Sequence, residues 1–268
     1  MAAVKLDGAT LDVWDEGTGP PILLLHGFPT TNRLWRGVVP QLVRAGYRAV
    51  APDLAGYGRS EADSSSDLGM AHQAHWMIAL MGALAVRRPL LVAHDVGSAA
   101  AQIIAARSPE FVHGLVIIDG VYEENWAMDA VASIQSWNPA DAHRLFPLLV
   151  RRLRSKTASG GGVSEEIARE VLAPYEGANG GARLIRAAQA LNPPETRGIA
   201  KQLGARGVPA LILWGEGDRY LPVDQVARPL ATTLGAELNL LPGGHFLPLD
   251  APDEVAGAVL AFISRIGG

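Results

Sequence analysis

Three side chains whose types together perform covalent hydrolysis follow one another along this chain: Asp95, Asp218 and His245. Asp95 lies in Leu90-Leu91-Val92-Ala93-His94-Asp95-Val96-Gly97-Ser98-Ala99-Ala100, where an apolar run enters a small-x-Asp-x-small pentapeptide and leaves as an alanine-rich helix. So sharp a strand-to-helix bend needs small residues two before and two after its centre. Ala93 and Gly97 supply them, and the central side chain is projected above the sheet. A carboxylate with an ordinary pKa near ~4 is ionised at neutral pH, so it is a nucleophile without help from a base. It attacks esters and amides poorly. It can displace a leaving group from saturated carbon, and the resulting alkyl ester falls to a histidine-activated water. Asp is also a favoured helix N-cap, so the partners of Asp95 decide its role.

Those partners sit behind further apolar runs. Gly215-Glu216-Gly217-Asp218 follows Ala210 to Leu213, and Pro242-Gly243-Gly244-His245-Phe246 comes next. Nucleophile, acid and base thus occur in the order Asp95, Asp218, His245, with Asp218 holding the imidazole in its working tautomer. His26-Gly27-Phe28-Pro29 closes an earlier apolar run, with His26 expected mainly to stabilise that turn.

The elements that must position these residues alternate. Pro21 to Leu25, Arg48 to Ala51, Leu90 to Ala93, Leu115 to Ile118 and Ala210 to Leu213 are continuously apolar, as strands buried on both faces of a parallel sheet are. Leu34 to Arg44, Met70 to Leu84, Ser98 to Arg107, Val223 to Leu234 and Glu254 to Ile266 are of helix length. The alternation predicts a doubly wound α/β fold with a mostly parallel sheet. Ala3 to Leu6 and Thr10 to Trp14 around Asp7-Gly8 predict an N-terminal β-hairpin. From 123 to 200 the rhythm breaks, with helical pieces among Ser159-Gly160-Gly161-Gly162 and Gly177-Ala178-Asn179-Gly180-Gly181, read as flexible stretches. Residues 123–200 are expected to form a helical lid over a core of 1–122 and 201–268.

The 268 residues suffice for one large core, and with 0 cysteines there is neither thiolate chemistry nor a disulfide, which suits a reducing cytoplasm. A net charge of -4 argues against nucleic-acid or membrane partners, and neither a signal peptide nor a membrane span is legible. The expectation is a monomer or homodimer acting on a small molecule and water, without metal or cofactor.

Over nearly its whole length outside the insertion, the sequence resembles the α/β-hydrolase superfamily. His26-Gly27-Phe28-Pro29 and His94-Asp95-Val96-Gly97 look like its epoxide hydrolase and dehalogenase branch, as does Tyr57 in the loop Asp53 to Ser60. The resemblance implies an oxyanion hole from the Phe28 and Val96 N–H groups, and it makes Asp119, in Ile118-Asp119-Gly120, a competitor for the acid's place, although the complete Gly-x-x-Asp loop favours Asp218. It implies that a lid supplies either tyrosines for an epoxide oxygen or indole N–H groups for a halide. Tyr122 and Tyr175 are the tyrosine candidates, although Ala182 to Arg186, where a second tyrosine is expected, holds none. Trp126 and Trp137 are the indole candidates, although Val96 stands where many haloalkane dehalogenases have tryptophan. No arginine directly follows Asp95 to hold a haloacid carboxylate. His26, His94 and His143 complete the expected pocket. Packing alone would also account for the aromatic residues. The expectation is an epoxide hydrolase working through an Asp95 ester, with dehalogenation second and a ligand receptor or non-hydrolytic enzyme third.

Overall fold

The computed structural model describes residues 2–156 and 163–267. It opens with the expected hairpin, β1 (Ala2–Leu6) against β2 (Ala9–Glu16), with Gly8 in the left-handed region at φ +71°. β3 (Pro21–Leu25), β4 (Arg48–Pro52), the two-residue β5 (Glu61–Ala62), β6 (Leu90–His94), β7 (Gly114–Ile118), β8 (Ala210–Gly215) and β9 (Glu237–Leu241) follow. Across the sheet the order is β1-β2-β4-β3-β6-β7-β8-β9, with β5 paired to β2. From β4 to β9 along that path every pairing is parallel. Every residue of β6 and β7 is buried, as their unbroken apolar runs require.

The core helices are α1 (Val39–Arg44), α2 (Met70–Ala83) and α3 (Gly97–Arg107). Between β7 and β8 come α4 (Met128–Gln135), α5 (Leu145–Lys156), α6 (Glu165–Leu172), α7 (Ala178–Gln189) and α8 (Ile199–Arg206). α9 (Arg228–Leu234), α10 (Leu247–Asp250) and α11 (Pro252–Ile266) complete the set. α1 packs with α11, while α2, α3, α8 and α9 pack in succession. The helix expected from Leu34 starts late, at a proline. α1 begins at Val39, with Pro40 in its first turn, after a short 3-10 turn at Asn32–Trp35. The helix expected from Val223 opens there as a π-helical turn, Val223–Ala227, and continues as α9 from Arg228, with Pro229 in its first α turn. Proline has no N–H to donate and is accommodated at a helix start.

The stretch 177–181 is not a flexible loop. Gly177 precedes α7, and Gly180 and Gly181 lie buried inside it. A Cβ on Gly180 would fall 2.1 Å from the Pro174 carbonyl oxygen, and one on Gly181 2.5 Å from that of Ala142. These glycines permit close packing. Ser159-Gly160-Gly161-Gly162 lies outside the described residues. The insertion is tied to the core by Tyr175, whose hydroxyl donates to Thr30 O and accepts from Gly58 N–H, both at 3.0 Å. Arg183 donates to Gly58 O at 3.0 Å, and Arg186 to Ser66 O and Asp63 O. No helix among the described residues is long and apolar enough to cross a membrane.

Candidate active site

Asp95 stands at the bend between β6 and α3 with φ +49°, a costly conformation for a residue with a Cβ. Its N–H donates to Ile118 O at the end of β7 (3.2 Å), and its carbonyl accepts from Ser98 N–H (2.9 Å). The requirement for small neighbours has a visible cause. A Cβ on Gly97 would fall 2.3 Å from His26 O, and one on Gly27 2.4 Å from Asp95 Cβ. The bend therefore interlocks with the loop after β3. From that loop Phe28 N–H donates to Asp95 Oδ2 at 2.9 Å, and Val96 N–H also hydrogen-bonds the carboxylate. Burial pushes the Asp95 carboxyl up from its ordinary value, while His245 and the two amides pull the other way.

Facing Asp95, His245 Nε2 lies 3.8 Å from Oδ1, and its Nδ1 is 2.9 Å from Asp218 Oδ2. Asp218 Oδ1 accepts from the N–H groups of Tyr220 (2.7 Å) and Leu221 (3.1 Å), which orients the carboxylate. Asp119 is placed differently. Its Oδ1 accepts from Gly215 N–H at 2.7 Å and its Oδ2 from Leu247 N–H at 3.3 Å, so it clamps the Asp218 loop to the His245 loop. Burial, and then the Asp218 charge, hold its carboxyl well above the ordinary range.

Burial lowers the affinity of His245 for its proton, but the Asp218 charge and hydrogen bond, joined by Asp95 and Asp119, outweigh it and raise the pKa to about 9. Because that value lies above the 6.5 of a free histidine, the bound proton stabilises the fold. The contribution is complete below pH 6.5 and is lost as pH rises through about 9. The stability gap between wild type and His245→Gln, followed by denaturant unfolding, should therefore narrow over this range by on the order of 3 kcal/mol. A pH-independent gap would contradict the ion-pair account.

The Asp95 carboxylate and His245 imidazole floor a cavity of about 40 Å³. At some 10–15 Å³ per water on this measure, that holds about three waters. Its walls come from Phe28, Pro29, Val96, Tyr220 and Phe246 and, between β7 and β8, from Trp126, Ala127, Ala130, Val131, Ile134, Leu149, Arg152 and Leu153. Several expected pocket residues lie elsewhere. His26 is fully buried in the turn, its Nδ1 on Gly27 O and its Nε2 accepting from Leu54 N–H, both at 3.0 Å. Burial lowers its pKa to about 4 and keeps it neutral. His94 holds the His245 loop through Nε2 and His245 O at 2.7 Å. Tyr122 bonds Thr233 Oγ1 at 3.0 Å, and Tyr175 is consumed by the core contacts given above. Trp137 lines outer clefts, and His143 is exposed. Trp126 lines the cavity, but its indole N–H is spent on Thr196 Oγ1 (2.8 Å) and Glu123 O (3.1 Å).

Two cavity residues escape sequence reasoning. Tyr220 packs edge-on against His245 with ring centroids 5.0 Å apart, and its hydroxyl is hydrogen-bonded by Arg152. The signal for Tyr220 was its place two residues after Asp218, whose carboxylate fixes its N–H. For Arg152 the signal was a cation beside the apolar stripe Leu145, Leu149, Leu153 of α5.

The family described as alpha/beta hydrolase fold matches residues 20–252, and the chain belongs to it. Haloalkane dehalogenase 2 of Mycobacterium tuberculosis is 30% identical over 260 residues, covering 92% of this chain and 88% of the relative. An epoxide hydrolase of Caballeronia sordidicola is 39% identical over 108 residues, covering 40% of this chain and 33% of the relative. Among solved structures, a haloalkane dehalogenase from Bradyrhizobium elkani superposes with a TM-score of 0.83 at 24% identity, covering 99% of this chain and 97% of that one. The protein is thus a hydrolase of the α/β fold related to haloalkane dehalogenases and epoxide hydrolases.

Proposed function

We propose that the protein hydrolyses a small epoxide through a covalent ester on Asp95, beneath a lid formed by residues 123–200. One observation carries this reading. A carboxylate whose Oδ2 accepts from the Phe28 N–H faces the Nε2 of a histidine anchored on Asp218, at the floor of a largely apolar cavity.

Oδ1 attacks one oxirane carbon, and the broken C–O bond leaves its electron pair on the ring oxygen, which takes the phenolic proton of Tyr220. The imidazolium proton of His245 then returns to Tyr220. Esterification removes the Asp95 charge, one of those holding that proton on His245. The neutral imidazole draws a proton from water as the water attacks the ester carbon. The charge developing on Oδ2 meets the Phe28 and Val96 amides. The bond from carbon to Oδ1 then breaks, the departing oxygen takes the imidazolium proton of His245 to complete the diol, and the acid proton left on Asp95 passes to the now neutral imidazole.

Tyr220 favours an oxygen leaving group, because it is the cavity's phenol and the Trp126 N–H is committed elsewhere. Halide displacement through the same ester is the second reading, favoured by the haloalkane dehalogenase relative that matches nearly the whole chain. The test is His245→Gln mixed with an epoxide panel and a haloalkane panel. Intact-protein mass should rise by one substrate, with the adduct on the Asp95 peptide. An unmodified protein with both panels would reject the ester.

A further inference from the structure

The cavity above Asp95 is apolar except at one wall. On α5, Leu145, Leu149 and Leu153 recur every fourth residue and are at most 2% exposed, while Arg152 between them is half-buried with its side chain on the cavity. Leu149, Ile134 and Arg152 also line the outer groove between α4 and α5, a space of about 410 Å³ with Arg151 on its rim. Arg152 therefore sits where groove and cavity share a wall.

Among the described residues, Arg152 is the one permanent cation lining this cavity, in a chain whose net charge is -4. A guanidinium against apolar surface loses hydration, and an anionic ligand restores the lost interactions best. Its planar fork donates two parallel N–H groups to a carboxylate, a geometry lysine lacks. Tyr220, already hydrogen-bonded to Arg152, fixes the guanidinium at the reacting end of the cavity. The cavity floor carries the opposite charge in Asp95, with Asp218 just behind His245. A substrate carboxylate is repelled from the floor and drawn to the wall, which turns its uncharged electrophilic carbon toward Oδ1. The small volume leaves room for only a few atoms between the two.

We infer that the substrate is a short carboxylic acid carrying its oxirane close to the carboxylate, admitted through the α4–α5 groove and oriented by Arg152 with Tyr220. This rests on the Asp95 ester reading and adds a substrate class to it. Oxirane-2-carboxylate and its primary amide, which match in shape and differ in charge, provide the test. Wild type should prefer the acid in kcat/KM by at least about a hundredfold, mostly through KM. Added salt should erode that preference. Arg152→Gln should cut the acid-over-amide ratio by ten- to a hundredfold, and Arg152→Lys should restore part of it. A ratio unchanged in Arg152→Gln, or a wild type indifferent to charge, would overturn the inference while leaving the ester intact.

Binding separates the two claims. By calorimetry, 2,3-dihydroxypropanoate should bind wild type at least tenfold more tightly than its amide does, and Arg152→Gln should lose that margin. If the margin appears but neither epoxide ever labels Asp95, the carboxylate subsite stands and the ester reading fails. If Asp95 is labelled by the amide and the margin is absent, the reverse holds.

Discussion

Asp95→Ala should lower kcat/KM by about 10⁴–10⁶-fold, the range typical of a lost nucleophile. Alanine keeps the cavity but offers no atom to attack carbon, and neither His245 nor Tyr220 can substitute, since both are placed to move protons. The bend at φ +49° disfavours alanine, so Asp95→Asn is the cleaner variant. Asparagine tolerates the left-handed region and preserves the shape while removing the charge. Both variants should lose activity equally, with Asn keeping a wild-type unfolding midpoint to within a few degrees. Activity near wild type in either one, in a carefully purified preparation, would contradict the nucleophile assignment.

The second large effect separates the two buried carboxylates behind the histidine. Asp218→Asn should reduce kcat by about 10⁴-fold, because an amide facing Nδ1 no longer fixes the tautomer or balances the imidazolium. Most of the loss should fall on the water step, so the ester should accumulate under turnover and be detectable by mass. Asp119→Asn should behave otherwise. It leaves the His245 Nδ1 to Asp218 contact in place, and its amide can accept only one of the two N–H groups now shared by Oδ1 and Oδ2. Its expected cost is about 1–3 kcal/mol of stability with a kcat loss under about tenfold. Equal kcat losses in the two variants would mean that the clamp and the acid cannot be told apart.

The reach of sequence reasoning follows from what is encoded locally. The strand-bend-helix around Asp95, the apolar runs and the hairpin were legible because apolar continuity, small residues and Asp7-Gly8 are local signals of backbone geometry. That Asp218, rather than Asp119, meets the Nδ1 of His245 was favoured by loop composition. The clamp made by Asp119 was not readable, since it depends on how two loops distant in sequence approach each other. The insertion was hardest. Trp126 was expected to offer its N–H to a ligand, but Thr196, 70 residues away, takes it. Tyr122 and Tyr175 face partners on other elements for the same reason. Arg152 and Tyr220 enter the cavity through the rotation of α5 and the turn after Asp218, phases that periodicity leaves undetermined. The glycines at 180 and 181 misled because composition does not distinguish a loop from a close helix crossing.

The central claim is that substrate carbon becomes bonded to an oxygen of Asp95, and a single turnover in water enriched in ¹⁸O, with enzyme in excess, tests it most directly. The account predicts a diol whose new oxygen is unlabelled, with one ¹⁸O in the peptide containing Asp95. Label in the first-turnover diol and none in that peptide would mean that water attacks the substrate directly, and the covalent scheme would be wrong.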